Sequence, residues 1–228
     1  MKIKEFILNL IFPKFCLGCK KEETFLCEDC FSTLEIITSR LKFKGKNLED
    51  LYFPVTYDNF LVKRLIQNFK YPPLIKELKK ELAFLIVSHF LLLDKKPNFS
   101  DFVLVPIPLS KKKLKWRGFN QAEEIAKELN EFLKIPLVSD CLVKIKDTKD
   151  QVELSEKERK ENIKNAFLVK NKDKISGKNV LLVDDVFTTG ATMEEAARVL
   201  KEAGVKKVVG VVIAKASPDQ DKLTLNRN

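Results

Sequence analysis

The chain has 228 residues with a net charge of +10; hydrophobic residues make up 45% of it and charged residues 32%. This composition excludes a disordered or collagen-like chain and leaves room for one α/β domain with a small appendage. The positive charge favours anionic partners, such as phosphorylated metabolites, nucleic acid or an acidic protein, without choosing among them.

The chain opens with a helical stripe of apolar residues: Ile3, Phe6, Ile7, Leu10 and Ile11. No small-residue cleavage site follows this stripe, so we do not expect a secretory signal. The longest apolar run, 82–93, is too short to span a bilayer, and Ser88 and His89 interrupt it. We therefore predict no membrane insertion and a cytoplasmic location. We interpret His89 as a packed residue.

Most of the cysteines lie in the stretch CLGCKKEETFLCEDC: Cys16, Cys19, Cys27 and Cys30. Two CxxC turns at this spacing can aim four thiolates at one tetrahedral zinc ion, whereas disulfides are typical of exported chains. We favour zinc over disulfides, and a metal with four protein ligands is structural because no position stays open for catalysis. We interpret the remaining Cys141 as a core residue and not a nucleophile.

Strands alternate with helices along the rest of the chain, which favours a mostly parallel sheet flanked by helices. We predict strands at 51–58, 102–109, 135–146, 179–183 and 206–216. The predicted helices cover 60–93, with a break at Pro72 and Pro73, then 121–132, and a segment after 192 that ends at Gly204. Asn120 and Glu123 suggest a capping box for the second helix. The predicted units are a helix and knuckle at 1–45, an α/β domain at 46–216 and a polar tail at 217–228.

The stretch NVLLVDDVFTTGAT places Asp184 and Asp185 at the carboxyl end of a buried strand, where parallel sheets bind ligands. The loop then enters a helix N-terminus, whose N–H groups favour a phosphate, and Gly190 permits close backbone approach. Hydroxyl donors come from three residues of this loop: Thr188, Thr189 and Thr192. Carboxylates beside an anion site suit ribose hydroxyls, or Mg²⁺ bound to them, so a sugar 5-phosphate fits both halves.

Three other interpretations apply to the same stretch. It could be a Walker B strand, but the sequence contains no GxxxxGK[ST] loop. It could be a phosphoacceptor aspartate cluster, which would leave the TTGAT loop without a role. It could be a plain strand–helix turn with capping threonines, which would suffice for a lone TTG. For the whole string we favour the sugar-phosphate site.

The string VLLVDDVFTTGAT at 180–192 resembles the phosphoribosyl-pyrophosphate (PRPP) motif of type I phosphoribosyltransferases. The stretches VPIPLSKKKLKWRGFNQAEEIAKEL, LIQNFKY and ERKENIKNAF, together with the four-cysteine knuckle, resemble the ComF family (ComFC or GntX-like). Members of that family are tied to DNA uptake in natural transformation. The resemblance, from Cys16 to about Lys215, implies a type I phosphoribosyltransferase-like α/β fold with an N-terminal zinc knuckle. It also implies glycosyltransferase chemistry on PRPP with Mg²⁺.

The resemblance also implies a role for each site residue. Asp184 and Asp185 would hold the ribose 2- and 3-hydroxyls, and the loop 188–192, with Ala191, would surround the 5-phosphate. The pyrophosphate would lie on the loop after the strand LVPIP, at Ser110, Lys111, Lys112 and Lys113, with Arg117, Asn120 and Gln121 lining the same cleft. The charged span 147–165 matches the flexible loop that closes over PRPP, with Arg159 and Asn162 at family-matching positions. Asp184, Asp185 and Arg159 are the predicted catalytic residues.

Several alternatives remain open at this stage. Thr188 stands where purine-salvage relatives carry an Asp that manages the base proton, so the acceptor is not identified. The basic segment 111–117, with Trp116 and Phe119, suits single-stranded DNA as well as pyrophosphate. The chain is accordingly either a phosphoribosyltransferase with an unknown acceptor or a non-catalytic PRPP-sensing or DNA-binding partner of the competence helicase-like ATPase.

Overall fold

The computed structural model describes residues 13–39, 45–148 and 156–216, so the predicted N-terminal stripe and polar tail lie outside the described residues. The strands are β1 (Asp50–Tyr52), β2 (Val55–Thr56), β3 (Phe102–Pro106), β4 (Leu142–Lys144), β5 (Phe167–Val169), β6 (Asn179–Val183), β7 (Val186–Phe187), β8 (Lys207–Val211) and β9 (Ala214–Lys215). The helices are α1 (Glu28–Ser32), α2 (Phe60–Lys70), α3 (Lys79–Leu92), α4 (Lys111–Arg117), α5 (Gln121–Leu133), α6 (Glu156–Ile163) and α7 (Ala191–Glu202). Short 3-10 turns lie at Lys76–Leu78 and Lys172–Lys174.

The main sheet is parallel, with strand order β1–β8–β6–β3. Three of its strands resume after a two-residue break, and their continuations form a second parallel ladder in the order β2–β9–β7. The break between β6 and β7 consists of Asp184 and Asp185. The predicted mostly parallel α/β architecture is therefore confirmed, and the two aspartates lie at the carboxyl edge of the main sheet.

Both faces of the main sheet are buried, as a parallel sheet requires. Alternate residues of β6 point to opposite faces: Leu181 and Val183 join the apolar cluster that contains α2, α3 and α5. Val180 and Leu182 join the second cluster, which contains the buried side of α7. The buried side of that helix includes four residues: Met193, Ala196, Ala197 and Leu200.

The cysteine knuckle packs on the same core as the sheet. Leu17 and Leu34 belong to the cluster that contains α2 and α3. The rings of Phe31 and Phe84 lie 5.1 Å apart, which joins α1 of the knuckle to α3. The knuckle thus shares apolar surface with the α/β part of the chain.

Some predicted elements differ from the structure. The strand predicted at 51–58 is divided into β1 and β2 around Pro54, which has no N–H for a sheet ladder. Only β4 forms from the predicted strand 135–146, and it pairs antiparallel with β5, a strand that no sequence pattern indicated. Two three-residue strands carry too short a pattern to be recognised.

The prediction that the basic segment 111–117 forms a loop is wrong, because these residues form helix α4. Ser110 caps this helix, since its Oγ accepts from the Lys113 N–H at 3.4 Å, and Gly118 ends it with φ +79°. The capping box predicted for α5 is also wrong. Asn120 makes no side-chain cap; instead its Nδ2 donates to the Ile107 carbonyl at 3.0 Å. Among the described residues, no helix combines the length and apolar character needed to cross a membrane.

Candidate functional site

The four knuckle cysteines converge on one point. The sulfur atoms of Cys16, Cys19, Cys27 and Cys30 all lie within 4.8 Å of one another, and none is in a disulfide. Cys19 Sγ and Cys27 Sγ are hydrogen-bonded at 3.5 Å. This distance exceeds the length of a disulfide bond. A Cβ at Gly18 would lie 2.6 Å from Cys30 Sγ, so the turn needs glycine to admit the sulfur.

Backbone N–H groups support thiolates in this cluster. The Cys27 N–H donates to Cys16 Sγ and the Cys30 N–H donates to Cys27 Sγ, each at 3.5 Å. Burial acts to raise the pKa of Cys16, but N–H groups of Cys27, Cys19 and Gly18 outweigh burial and lower it to about 6. Four converging sulfurs with such donors fit a metal ion. The predicted metal-ligand set is confirmed as four cysteines positioned to bind a metal.

The paired aspartates interrupt a strand ladder. The Asp184 N–H donates to the Val211 carbonyl at 3.1 Å, and the Asp185 carbonyl accepts from the Ile213 N–H at 3.0 Å. The neighbouring strand is therefore still bonded across the break, which fixes the backbone that carries both carboxylates. The Asp185 N–H also donates to Asp184 Oδ1 at 2.8 Å.

Lys70, which sequence analysis did not place in the site, forms an ion pair with this aspartate pair. Its Nζ lies 2.8 Å from Asp185 Oδ1. Lys70 is the last residue of α2, and its only signal in the sequence was its place in the stretch LIQNFKY. Burial lowers the pKa of Lys70, but the charges of Asp185 and Asp184 outweigh burial and raise it. The lysine is therefore a permanent cation beside the carboxylates.

The surroundings of Asp184 raise the pKa of its carboxyl group. Burial, followed by the charge of Asp185, raises the pKa of Asp184 from 3.8 to about 7, although Lys70 acts in the opposite direction. Two adjacent carboxylates in a shielded place cannot both ionise freely. Asp184 thus exchanges a proton near neutral pH, a property that is common at functional sites.

The loop after β7 has the geometry expected for an anion site. Gly190 has φ +78°, and a Cβ there would lie 2.5 Å from the Phe187 ring, so only glycine fits without displacement. The helix starts at the next residue: the Ala191 N–H donates to Thr189 Oγ1 at 3.4 Å, and the Glu194 N–H makes the first helical bond, to the Gly190 carbonyl. Thr188, Thr189 and Thr192 are partly exposed. A helix start of this kind favours a phosphate.

The predicted pyrophosphate residues lie next to the aspartates along the sheet edge. Strand β3 is the neighbour of β6, with Pro106 opposite Val183, and the Ile107 N–H donates to the Val183 carbonyl at 2.9 Å. Helix α4 begins a few residues later. Of its predicted ligand residues, Lys111 and Lys112 are exposed, whereas Ser110 is buried as the helix cap.

Two further predicted residues, Arg117 and Gln121, tie α4 to the end of α2. Arg117 is buried, and its Nη1 donates to Gln121 Oε1 at 2.6 Å. Gln121 Nε2 donates in turn to the Phe69 carbonyl at 3.4 Å, one residue before Lys70. These contacts bring Arg117 and Gln121 to the side of the ion pair between Lys70 and Asp185, whereas Asn120 is bonded to the Ile107 carbonyl.

Arg159 belongs to a helical part of the charged span. It lies on helix α6, is 2% exposed, and is among the largest fully buried side chains. Helix α6 packs against α7. The part of Arg159 in a closing loop stays a prediction, and 149–155 of that loop lie outside the described residues.

The two isolated candidates for chemistry are core residues, as predicted. Cys141 is fully buried, and burial raises its pKa to about 11, which makes it a poor nucleophile. His89 is 3% exposed, its Nδ1 lies 2.6 Å from the Ile37 carbonyl, and burial lowers its pKa. Neither residue belongs to the site at the sheet edge.

Comparison with known proteins identifies the domain that carries this site. A family model described as a phosphoribosyl transferase domain matches residues 114–224. Competence protein F of Haemophilus influenzae is 38% identical over 106 residues, which cover 46% of each chain. Competence protein ComFC of Bacillus subtilis is 39% identical over 45% of this chain and 40% of its own length. The DNA utilization protein YhgH of Escherichia coli is 34% identical over 46% of this chain and 45% of its own.

This chain is similar to these ComF and YhgH proteins, and residues 114–224 match a phosphoribosyl transferase domain. The matched stretches span less than half the length of these curated relatives. Among solved structures, the glutamine PRPP amidotransferase from B. subtilis has 20% identity and a TM-score of 0.36, over 60% of this chain and 25% of its own. A superposition at that level says nothing about the ligand of this chain.

The domain match covers only part of the site. Asp184, Asp185 and the loop 188–192 lie within the matched residues, as does most of α4. Lys70 and the four cysteines lie outside them. The lysine–aspartate ion pair and the metal-ready knuckle are therefore features that the structure adds to the domain.

Proposed function

We propose that this chain binds PRPP or ribose 5-phosphate, with Mg²⁺, at the carboxyl edge of its main sheet. The observation that carries the proposal is the pair Asp184 and Asp185 at the break between β6 and β7, followed directly by the loop that opens α7. Carboxylates suit the ribose hydroxyls, and the helix start suits the 5-phosphate. The exposed lysines of α4 follow strand β3, which is the neighbour of β6 in the sheet, and they suit the pyrophosphate.

The residues of the site fit Mg²⁺ as a companion of the ligand. Mg²⁺ takes oxygen ligands and shares them between one or two carboxylates and a substrate's phosphates. Asp184 and Asp185 would provide the carboxylate oxygens, and Lys70 would then give up its place beside Asp185. The bound ion would neutralise charge on the pyrophosphate.

On this site we propose transfer of the phosphoribosyl group. The bond between C1 and the pyrophosphate oxygen breaks through an oxocarbenium-like state, and pyrophosphate leaves with the bonding electrons. The acceptor, or water in a hydrolysis, forms the new bond to C1 and loses a proton. Asp184 and Asp185 would orient the ribose, and Arg159 and the charged span would contribute to closure over the ligand, which would keep bulk water out.

We further propose that the knuckle holds zinc in a structural role. Four thiolate ligands leave no open position, and soft sulfur ligands select zinc over magnesium or calcium. The relatives are named for competence and for DNA utilization, and we propose that this chain also serves DNA handling, in the cytoplasm, with a helicase-like ATPase as partner.

Calorimetry tests the ligand proposal. We expect PRPP with Mg²⁺ to bind the parent chain, and the variant with Asp184→Asn and Asp185→Asn to lose binding while it keeps a cooperative unfolding transition. Asp140→Asn is the matched control, because Asp140 is an exposed aspartate paired with Lys174 on another part of the surface. Equal affinity of the double variant and the parent would disprove the site assignment.

A second candidate function is binding without turnover. It is favoured by helix α4, where exposed lysines are joined by Trp116, which is 56% exposed. A pyrophosphate-release assay with nucleobases, single-stranded DNA or water as acceptor separates the two functions. Release with any acceptor supports the enzyme. Binding of PRPP that stabilises the fold, with no release under any of these conditions, supports a PRPP-sensing or DNA-binding role.

A further inference from the structure

The first turn of α7 is tied to a distant part of the chain. Glu194, in this turn, accepts the Lys46 N–H at 3.1 Å and the Asn47 N–H at 2.9 Å, and Asn47 Nδ2 adds a weaker bond at 3.4 Å. A carboxylate that accepts several N–H bonds is held in one orientation. The connector 45–47, which follows the knuckle in the chain, is thus fixed to the helix whose start forms part of the phosphate loop 188–192.

Buried contacts hold the connector against the same turn. The Gly45 N–H donates to the Leu48 carbonyl at 3.0 Å, and Leu48 is fully buried. Leu48 and Met193 of α7 both pack over Gly210 of β8, where a Cβ would lie 3.3 Å from Leu48 Cδ2 and 3.1 Å from Met193 Sδ. Gly45 lies so close to Glu194 that a Cβ at this position would collide with Oε1 of the carboxylate.

Glu195, the next residue of α7, binds a second segment. Its Oε1 accepts the Asn165 N–H at 2.7 Å, and Arg198 donates to both of its oxygens, from Nε at 2.9 Å and from Nη2 at 2.7 Å. Burial acts to raise the pKa of Glu195, but the bonds from Arg198 and from the Asn165 N–H outweigh burial and lower it. Two adjacent carboxylates therefore join the first turn of α7 to the connector and to residue 165.

We propose that Glu194 is a positioning residue, which holds the first turn of α7 on the connector so that the N–H groups of the phosphate loop are in place before an anion arrives. Donors that are already ordered bind more tightly, because binding does not have to order them. The bonds also fix the carboxylate itself. A free carboxylate in the first turn would repel an incoming phosphate, whereas that of Glu194 is directed toward the connector N–H groups.

This role of Glu194 rests on the proposed PRPP site and makes its affinity for the 5-phosphate depend on the connector between the knuckle and the α/β domain. The pyrophosphate is assigned to α4, which follows β3 and not β7. Loss of the connector bonds should therefore weaken the binding of ribose 5-phosphate and leave the binding of pyrophosphate unchanged.

Calorimetry with ribose 5-phosphate and with pyrophosphate, each with Mg²⁺, tests the inference on two variants. Glu194→Ala removes the carboxylate, and Glu194→Asp keeps the charge on a side chain that is one methylene shorter. We expect both to bind ribose 5-phosphate about 10-fold more weakly than the parent, with pyrophosphate affinity unchanged. Ribose 5-phosphate affinity equal to the parent's in both variants would overturn the inference, and so would an equal loss for the two ligands.

The matched control is Glu131→Ala. Glu131 is an exposed glutamate of α5, and its Oε2 lies 3.7 Å from Lys134 Nζ in a long ion pair. Its removal should change neither affinity, because such a pair contributes little to the fold.

Gly45→Ala tests the same contact from the connector. The φ of Gly45 lies outside the left-handed region, so an alanine suits the backbone and its main effect is the collision with the Glu194 carboxylate. We expect Gly45→Ala to weaken ribose 5-phosphate binding in the parent and to add no loss to Glu194→Ala, where the carboxylate is absent. Equal losses in the two backgrounds would show that the connector acts without Glu194 and would overturn the inference.

Hydrogen exchange of the ligand-free chain keeps the two proposals apart. The N–H groups of 188–192 should exchange faster in Glu194→Ala than in the parent, and at the parent rate in Glu131→Ala. Faster exchange in Glu194→Ala, with no ribose 5-phosphate bound by the parent, sinks the proposed function and leaves the positioning role standing. Unchanged exchange, with ribose 5-phosphate bound equally by parent and variant, sinks the inference and leaves the proposed function standing.

Discussion

Lys70 Nζ lies 2.8 Å from Asp185 Oδ1, although the two residues are 115 positions apart in the chain. Both side chains are mostly shielded, with 24% of the lysine and 10% of the aspartate exposed. The ligand-free site therefore carries its own cation at the carboxylate where Mg²⁺ or ribose hydroxyls would bind. When the ligand enters, it replaces Lys70 as the partner of Asp185. Removal of Lys70 should therefore change both the stability of the fold and the binding of metal.

Replacing Lys70 with methionine should destabilise the free protein. The change removes the lysine that is hydrogen-bonded to Asp185, and we expect the free energy of unfolding to fall by about 1–3 kcal/mol. Added Mg²⁺ should restore more stability to Lys70→Met than to the parent, because the ion meets an unpaired carboxylate. Urea denaturation with and without excess Mg²⁺ measures both effects.

The control for this change is Lys134→Met. The side chain of Lys134 is 76% exposed, and its Nζ lies 3.7 Å from Glu131 Oε2 in a long, solvent-exposed ion pair. Its loss should therefore leave the denaturation curve unchanged. Identical curves for Lys70→Met and Lys134→Met, at either Mg²⁺ level, would show that the ion pair has no role in the site.

Asp184 should make stability depend on pH. Burial and the charge of Asp185 raise its pKa from 3.8 to about 7, so between these values the folded chain keeps a proton that the unfolded chain has lost. Its contribution to stability therefore falls as pH rises through this window and levels off above it. Asp184→Asn lacks this loss, and its stability relative to the parent should rise from pH 3.8 to about 7.

Asp140→Asn should show the opposite pH dependence: its stability relative to the parent should fall as pH rises. A hydrogen bond from Lys174 lowers the pKa of Asp140, so its carboxylate stabilises the fold at neutral pH and this stabilisation is lost as pH falls. Urea denaturation of both variants across the same pH series tests the pair of signs. A stability difference between Asp184→Asn and the parent that stays constant with pH would contradict the raised pKa.

The parts of the site that are local in sequence were predictable, and the parts made by tertiary contact were not. The string from Asp184 to Thr192 and the cysteine knuckle each place their chemistry within a short stretch, so spacing alone predicts them. The pairing of Lys70 with Asp185 depends on where α2 ends against the sheet, which no local pattern encodes. Asn120 bonds the Ile107 carbonyl for the same reason.

Helix α4 was not predicted, although the signals for a helix lie within its own short stretch of sequence. Ser110 is a favourable N-cap, Gly118 is a favourable end, and the lysines, leucine and arginine between them are good helix formers. The prediction of a loop followed from the resemblance. Propensity and caps were the better guide here.

The knuckle should hold one metal ion per chain, and Cys16→Ser should lose it. Removing one of four converging thiolates breaks the tetrahedral set, so metal analysis should find less than one equivalent and the melting temperature should fall. Cys141→Ala is the matched control: this cysteine is buried outside the cluster, and its variant should keep the metal. A metal-free parent protein with reduced thiols would contradict the zinc proposal.

Gly190→Ala should destabilise the chain more than Gly177→Ala. Both glycines have positive φ, +78° and +70°, and an alanine in the left-handed region costs about 1–2 kcal/mol. Gly177 has open space at its Cβ position, whereas an alanine at 190 would place its Cβ 2.5 Å from the Phe187 ring. The excess cost of Gly190→Ala therefore measures the contact that shapes the phosphate loop. We expect Phe187→Leu, added to Gly190→Ala, to recover part of that excess in urea denaturation; equal costs for the two single glycine variants would show that the ring yields freely.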